Sequence, residues 1–385
     1  MLQNTNETGL QIMINTNLNV DEITQKIAEQ SPNINADRKI PDQLIDEMAQ
    51  KGFFRLLIPK TYKGGEIDYL DYLALVQEIS KADGSMGWCF NQNNILSTNA
   101  AIMPKTLAEE IWSDQRAILC NGPTQYSNAI PTEGGYRLTG RWNFSSGSQH
   151  ATWVIAISTI ENKDPTKKLN MMIPQKDVNF FDVWQVNGLK GTGSFSFEVN
   201  DFFVPEKYTF PEFNETEEKG GLYVIPKNLL FASGFASVAL GVARGALDKA
   251  IEISKTKVPQ EQKLLQEQSA TQREIGQAEA LWGASNAFVL QKAEHVWSHA
   301  QRHGKLETKD RIELRLASTH AIRQSAEVVN MAYTICGASS IFEGNPIQRK
   351  FQDAHAITQQ IQGRLSHYET VGQFFLGLEP QGRMF

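Results

Sequence analysis

The chain has 385 residues with a formal net charge of −6, 41% apolar and 21% charged, which suits two or three domains or one large composite one. That negative balance, with no basic run, disfavours a nucleic-acid surface, where affinity comes from neutralising phosphates. No continuous apolar run reads as long enough to cross a bilayer, the N-terminus lacks a signal-peptide layout, and the three cysteines (Cys89, Cys120, Cys336) show neither pairing nor metal spacing. A cytoplasmic protein in a reducing compartment is expected.

Residues 1–19 are rich in Asn and Thr, lack periodicity and are expected to fray. A helical pattern starts near Asp21, a candidate N-cap, and a second helix follows Pro41 over 42–51. Leu70, Tyr72, Leu73, Leu75, Val76 and Ile79 form a helical apolar stripe, Asp83-Gly84-Ser85 caps the next helix, and another begins at Pro104. Residues 20–115 thus read as an α-helical domain. From Arg116 the pattern changes to short strands with frequent turn residues. These include a hairpin at Gly134-Gly135, a buried strand at Trp153-Val154-Ile155-Ala156-Ile157, and further strands near 171–174, 183–186, 195–199 and 202–205. They predict a small antiparallel barrel or sandwich over 116–215, the barrel being preferred. From 225 to 385 the chain is helical again, with rods long enough for a four-helix bundle.

The stretch Thr139-Gly140-Arg141-Trp142-Asn143-Phe144-Ser145-Ser146-Gly147 stands out. As a strand it puts Trp142 and Phe144 on one face and Arg141, Asn143 and Ser145 on the other. It reads either as a half-buried strand ending in a turn or as a seat for a flat aromatic ligand. His295, His299 and His303 repeat at i, i+4, i+8 on one helix face. No carboxylate or Cys set converges on them by sequence, so a solvated surface is expected and no metal is assigned. His150 is expected to be structural.

The order of helices, β-domain and bundle resembles the acyl-CoA dehydrogenase fold, and local motifs agree. Asn187-Gly188-Leu189-Lys190-Gly191-Thr192-Gly193-Ser194 followed by Phe202-Phe203-Val204-Pro205-Glu206 is similar to that family's β-domain segment. Phe231-Ala232-Ser233-Gly234 through Leu240-Gly241-Val242-Ala243-Arg244-Gly245 is similar to its first bundle helix. Within the fold, Gly84-Ser85-Met86-Gly87-Trp88, the stretch from Gly140 to Gly147, Asn345-Pro346-Ile347-Gln348-Arg349 and Phe351-Gln352-Asp353-Ala354-His355 resemble the two-component flavin-dependent monooxygenases, indole and indole-3-acetate monooxygenases among them.

A dehydrogenase of this fold needs a carboxylate to take the α-proton. Laid against that pattern the position falls at Gln362, an amide; Glu343, in Ile341-Phe342-Glu343-Gly344, stands on the wrong side of Asp353 and reads as a loop or subunit-contact carboxylate. The resemblance therefore implies an oxygenase component. It would take reduced flavin (FADH2 or FMNH2) from a separate NAD(P)H:flavin reductase and, through a C4a-(hydro)peroxide formed with O2, hydroxylate or epoxidise a small aromatic substrate. An acyl-CoA dehydrogenase-type flavoenzyme or a non-catalytic relative are the alternatives. Ser145 and Ser146 carry the flavin-managing hydroxyls by resemblance, with the backbone amides of 142–147 holding the ring. Trp142 or Phe144 either walls the flavin or is plain core. Asn143 is included with them, and Gly191, Thr192, Gly193 and Ser194 are either cofactor contacts or a turn. His355 is either an acid/base or an ordinary helix residue. Relatives often carry a His after Thr-Gln, where this chain has Thr358-Gln359-Gln360, and another near 93–98, where it has none. An indole-type substrate, which attacks without prior deprotonation, is therefore favoured. A homotetramer is implied, because the family completes each flavin site with a neighbouring subunit's helices.

Overall fold

The computed structural model describes residues 18–212, 216, 218 and 220–381; residues 1–17 of the segment expected to fray lie outside them. Five helices come first: α1 (Val20–Asp37), α2 (Asp42–Gln50), α3 (Tyr69–Ala82), α4 (Gly84–Ser97) and α5 (Lys105–Trp112). Asn19, not Asp21, caps α1 by accepting from the Glu22 amide. Asp68 caps α3, and Asp83 caps α4 through the Met86 amide at 2.8 Å.

The β-region is a sandwich rather than the expected antiparallel barrel. Its strands are β1 (Leu119–Asn121), β2 (Thr124–Thr132), β3 (Gly135–Ser145), β4 (Trp153–Thr159), β5 (Lys168–Pro174), β6 (Asn179–Phe181), β7 (Phe195–Pro205) and β8 (Thr209–Pro211). They form two separate four-stranded sheets, β1-β4-β5-β8 and β2-β3-β7-β6, with β1 and β4 parallel. The strand expected at 183–186 is instead β6, a few residues earlier, and 183–186 is irregular. Sandwich closure follows from side chains. Val154 and Ala156 face Leu138, Trp142 and Phe197 between the sheets, while Ile155 and Met172, on the opposite face, pack on Leu107 and Ile111 of α5. One sheet is thus covered on both sides, which explains why β4 is almost uniformly apolar.

The remainder is α6 (Lys227–Ser254), α7 (Ser269–His303), α8 (Thr308–Cys336), α9 (Pro346–Thr358) and α10 (Ser366–Phe375). The expected four long rods are three, with the shorter α9 laid against α6 and α8. Contrary to the expectation that no apolar run is long enough, α6 is by length and composition apolar enough to span a membrane, yet 89% of its 18-residue apolar window is buried inside the fold. Its apolarity is that of a central helix: α3 and α4 pack on one side of it, α8 and α9 on others, so the first helices and the bundle share one core.

The α3–α6 contact depends on small residues. A methyl added at Gly241 would stand 2.3 Å from the Gln77 carbonyl oxygen, whereas one added at Gly276 on α7 would meet nothing within 4 Å. Gly241→Ala is expected to cost about 1–3 kcal/mol by overpacking, and Gly276→Ala to gain about 0.5–1 kcal/mol from helix propensity. Thermal unfolding of the two variants should move in opposite directions; equal melting would refute the packing argument.

Candidate functional site

Three segments converge beside α4: the end of β3, the loop between β6 and β7, and α9. Trp88 on α4 donates its indole N–H to Ser146 Oγ at 3.0 Å. Ser146 Oγ lies 2.8 Å from Ser194 Oγ, which lies 2.7 Å from Thr192 Oγ1, which donates to the Leu189 carbonyl at 2.9 Å. Because an indole N–H only donates and a carbonyl only accepts, the direction of every bond in this series is set. Each hydroxyl accepts from the Trp88 side and donates towards Leu189. All three are buried, and none retains a proton to offer elsewhere.

Leu189 is the anchor. It adopts φ +54, a left-handed conformation costly for a branched side chain. Bonds on both sides hold it there. Its carbonyl accepts from Thr192 and also from Trp184 Nε1 at 3.0 Å, and its amide donates to Asp353 Oδ1 at 2.6 Å. Gly188 lets the loop lie directly against α9, since a methyl there would meet the Gln352 carbonyl at 2.2 Å. Further ties fasten the loop. The Gly147 amide donates to the Thr192 carbonyl (2.9 Å), Ser148 Oγ to the Gly193 carbonyl (2.8 Å), and the Gly191 amide to Ser85 Oγ (3.1 Å). Gly191, Thr192, Gly193 and Ser194 are therefore a buried brace whose polar groups largely serve the fold.

Ser145 differs from its neighbour. Its hydroxyl is fully buried beside Gly122 and has no hydrogen-bond partner. A buried hydroxyl left unpaired costs about 1–3 kcal/mol. Phe144, next to it, has φ +57 and is 62% exposed, with Trp184 edge-on at 6.1 Å. Left-handed backbone at a bulky aromatic breaks the strand alternation, so Phe144 does not share a face with Trp142 as the pattern suggested. Trp142 is wholly buried between the sheets, stacked on Phe197 at 4.9 Å, with its N–H on the Ile157 carbonyl. Asn143 is tied on the sheet surface to Gln125 and Ser196. The amides of Asn143, Ser146 and Gly147 are already used within the chain, so they are not the free ring-holding donors the sequence suggested.

His355 does not join the serines within this chain. Two residues along a helix turn it by about 200°, so with Asp353 facing the loop, His355 is turned outward, against Asn330 Oδ1 at 3.0 Å and the Phe351 ring. His150 is structural as expected. It is buried on Asn93 Oδ1 at 3.1 Å, and desolvation followed by the nearby Arg116 charge pushes its pKa down to about 3. Gln362 is buried and accepts from the Arg315 guanidinium, and Gln360 caps the turn that presents it by accepting from the Gln362 amide at 2.7 Å. Glu343 is exposed, on the rim of a separate pocket of about 510 Å³ that Lys190 and Arg349 also line. Sequence reasoning missed Asp353 as the loop's acceptor and Trp88 as the head of the hydroxyl series. The signals were present, in Gln352-Asp353-Ala354 and Gly87-Trp88, but what they bond to was not.

Ser145→Ala should leave the melting temperature of the ligand-free protein unchanged or slightly raised. Ser146→Ala, which strands the Trp88 N–H and leaves Ser194 without its donor, should cost about 1–3 kcal/mol. Equal losses would contradict the assignment of partners. Asp353 is pushed up to about 7, chiefly by desolvation and then by the Asp83 charge. Between the ordinary carboxylate range and about pH 7 the folded chain keeps a proton that the unfolded chain has released. Stability contributed by this group therefore falls as pH rises through that window and levels off above it. Asp353→Asn, which still accepts from Leu189, should flatten that decline in denaturation measured from pH 4 to 8; an unchanged slope would sink it.

Models of the acyl-CoA dehydrogenase N-terminal and C-terminal domains match residues 19–104 and 233–363. The chain is 30% identical over 353 residues to an indole-3-acetate monooxygenase of Pseudomonas putida, covering 89% of each. It is 26% identical over 368 residues to the oxygenase component of an FADH(2)-dependent resorcinol hydroxylase of a Rhizobium species, covering 90% of each. The solved structure of XiaF from Streptomyces sp., in complex with FADH2 and glycerol, superposes with a TM-score of 0.89 at 24% identity, over 95% of this chain and 96% of that one. The chain belongs to the flavin-dependent monooxygenases of the acyl-CoA dehydrogenase fold, as an oxygenase component that uses reduced flavin and O2.

Proposed function

We propose that this oxygenase adds one oxygen atom to an indole-type aromatic, and that Ser145 is the residue through which the chain holds its flavin. The unpartnered buried Ser145 hydroxyl carries this reading, because it is the one hydroxyl of the cluster with a proton to give. Phe144 and Trp184 would wall the ring, and Ser146, Thr192 and Ser194 act as positioning residues that fix the backbone on which Ser145 stands. A reduced flavin bound there supplies the electrons that activate O2. The separate NAD(P)H:flavin reductase expected of an oxygenase component would deliver it.

Dehydrogenation finds no support in the same geometry. An amide oxygen at Gln362 that already accepts from Arg315 cannot take a proton. The substrate class rests on the missing imidazoles, since Gln360 is occupied in capping a turn and residues 93–98 offer none. An indole needs no such base, and the P. putida relative is named for indole-3-acetate. A homotetramer is supported by exposed apolar side chains in two segments, Ile341 and Phe342 before α9 and Phe375, Leu376 and Leu378 at the end of α10, of the kind a second copy covers.

With a generic flavin reductase and NADH, indole or indole-3-acetate should yield a product heavier by one oxygen atom. Ser145→Ala should weaken reduced-flavin binding about tenfold, the effect of losing one hydrogen bond of roughly 1.4 kcal/mol. Retained flavin binding with reoxidation but no product across an indolic panel would refute the substrate class. Unchanged flavin affinity in the variant would refute the role of Ser145.

A further inference from the structure

The three histidines on α7 lacked a carboxylate in the sequence, and the oxygenase site makes no use of them. Folding supplies the ligand. Asp310, in the first turn of α8, lies across the short α7–α8 connection, with Oδ1 2.9 Å from His295 Nε2 and Oδ2 3.0 Å from His299 Nδ1. The three ligand atoms lie within 4.8 Å of one another. The Asp310 side chain is only 5% exposed, against 54% for His295 and 20% for His299, so the cluster has a fixed floor and an open mouth. The floor is oriented independently: the Glu307 amide donates to Asp310 Oδ2 at 2.9 Å as half of a capping box. A backbone donor to a ligating carboxylate is the outer-shell support that metal sites use. His303 packs its ring on His299 at 4.5 Å but places no ligand atom in the set.

We propose that His295, His299 and Asp310 bind a divalent transition-metal ion of the zinc type, with the remaining position open to water. Bonds of about 2.0–2.1 Å in tetrahedral geometry set neighbouring ligand atoms roughly 3.3 Å apart. The observed His–Asp separations, each to a different carboxylate oxygen, are a few tenths of an ångström shorter, while the set as a whole falls within 4.8 Å, so an entering cation gathers the two imidazoles onto the carboxylate by side-chain rotation. Each nitrogen facing the carboxylate gives up its N–H there, and a neutral imidazole does so by carrying its proton on the other ring nitrogen. Two imidazoles and one carboxylate suit zinc, whereas magnesium and calcium require oxygen ligands. The bound ion would clamp the end of α7 to the start of α8.

The test uses the full chain without an affinity tag, stripped with a chelator and exchanged into metal-free buffer. Zinc titration by calorimetry should show one equivalent per chain and a raised melting temperature, and cobalt should give the visible absorption of a tetrahedral site. His295→Ala removes an exposed side chain and should fold normally, yet weaken zinc about tenfold or more and abolish the thermal shift. Asp310→Asn should do the same, while His303→Ala and magnesium should change nothing. No saturable zinc binding by the unaltered chain would overturn the site, as would binding undiminished in both His295→Ala and His299→Ala. Loss of binding in His303→Ala would overturn the ligand set.

Discussion

The one-way series of hydrogen bonds from the Trp88 indole through Ser146, Ser194 and Thr192 to the Leu189 carbonyl is the interaction on which the site depends. It crosses from the N-terminal helices to the end of β3, then to the loop before β7. The Leu189 amide extends it to Asp353 on α9. Four parts of the chain far apart in sequence are thereby held in one arrangement. Polarity is what makes the series informative: with a pure donor at one end and a pure acceptor at the other, no internal hydroxyl has a proton to spare. Of two adjacent serines, one becomes structural and the other is left available.

A second side chain separates this chain's chemistry from dehydrogenation on the same fold. Fold alone does not choose between them. What bears on the choice is Gln362, an amide bound by a buried guanidinium where a dehydrogenase of this fold would need a carboxylate. The strain at Leu189 persists because bonds to its carbonyl and its amide over-determine it, a pattern that concentrates where ligands are held.

Much of the architecture was legible from local pattern. Apolar stripes at helical spacing gave the helices, and turn residues between alternating segments gave the strands. The barrel was misjudged because strand patterns report which faces are buried and not how a sheet closes. Ile155 and Val154 are equally apolar, but only the tertiary structure shows one facing α5 and the other facing the second sheet. Alternation likewise misplaced Phe144, since a single residue at φ +57 reverses the side a strand presents.

By itself the sequence determined the fold class, the family, the absence of a carboxylate at Gln362 and the candidacy of the 140–147 and 191–194 segments. These are matters of residue type and order. Tertiary structure alone decided which groups are spent and which are free. Ser145 and Ser146 are chemically identical in the sequence, and His295 and His299 await a carboxylate fifteen and eleven residues away that only the α7–α8 turn delivers. The physical reason is common to both. A hydrogen bond or a ligand set is a relation between atoms brought within about 3 Å, and proximity of that kind is created by packing, not by spacing along the chain.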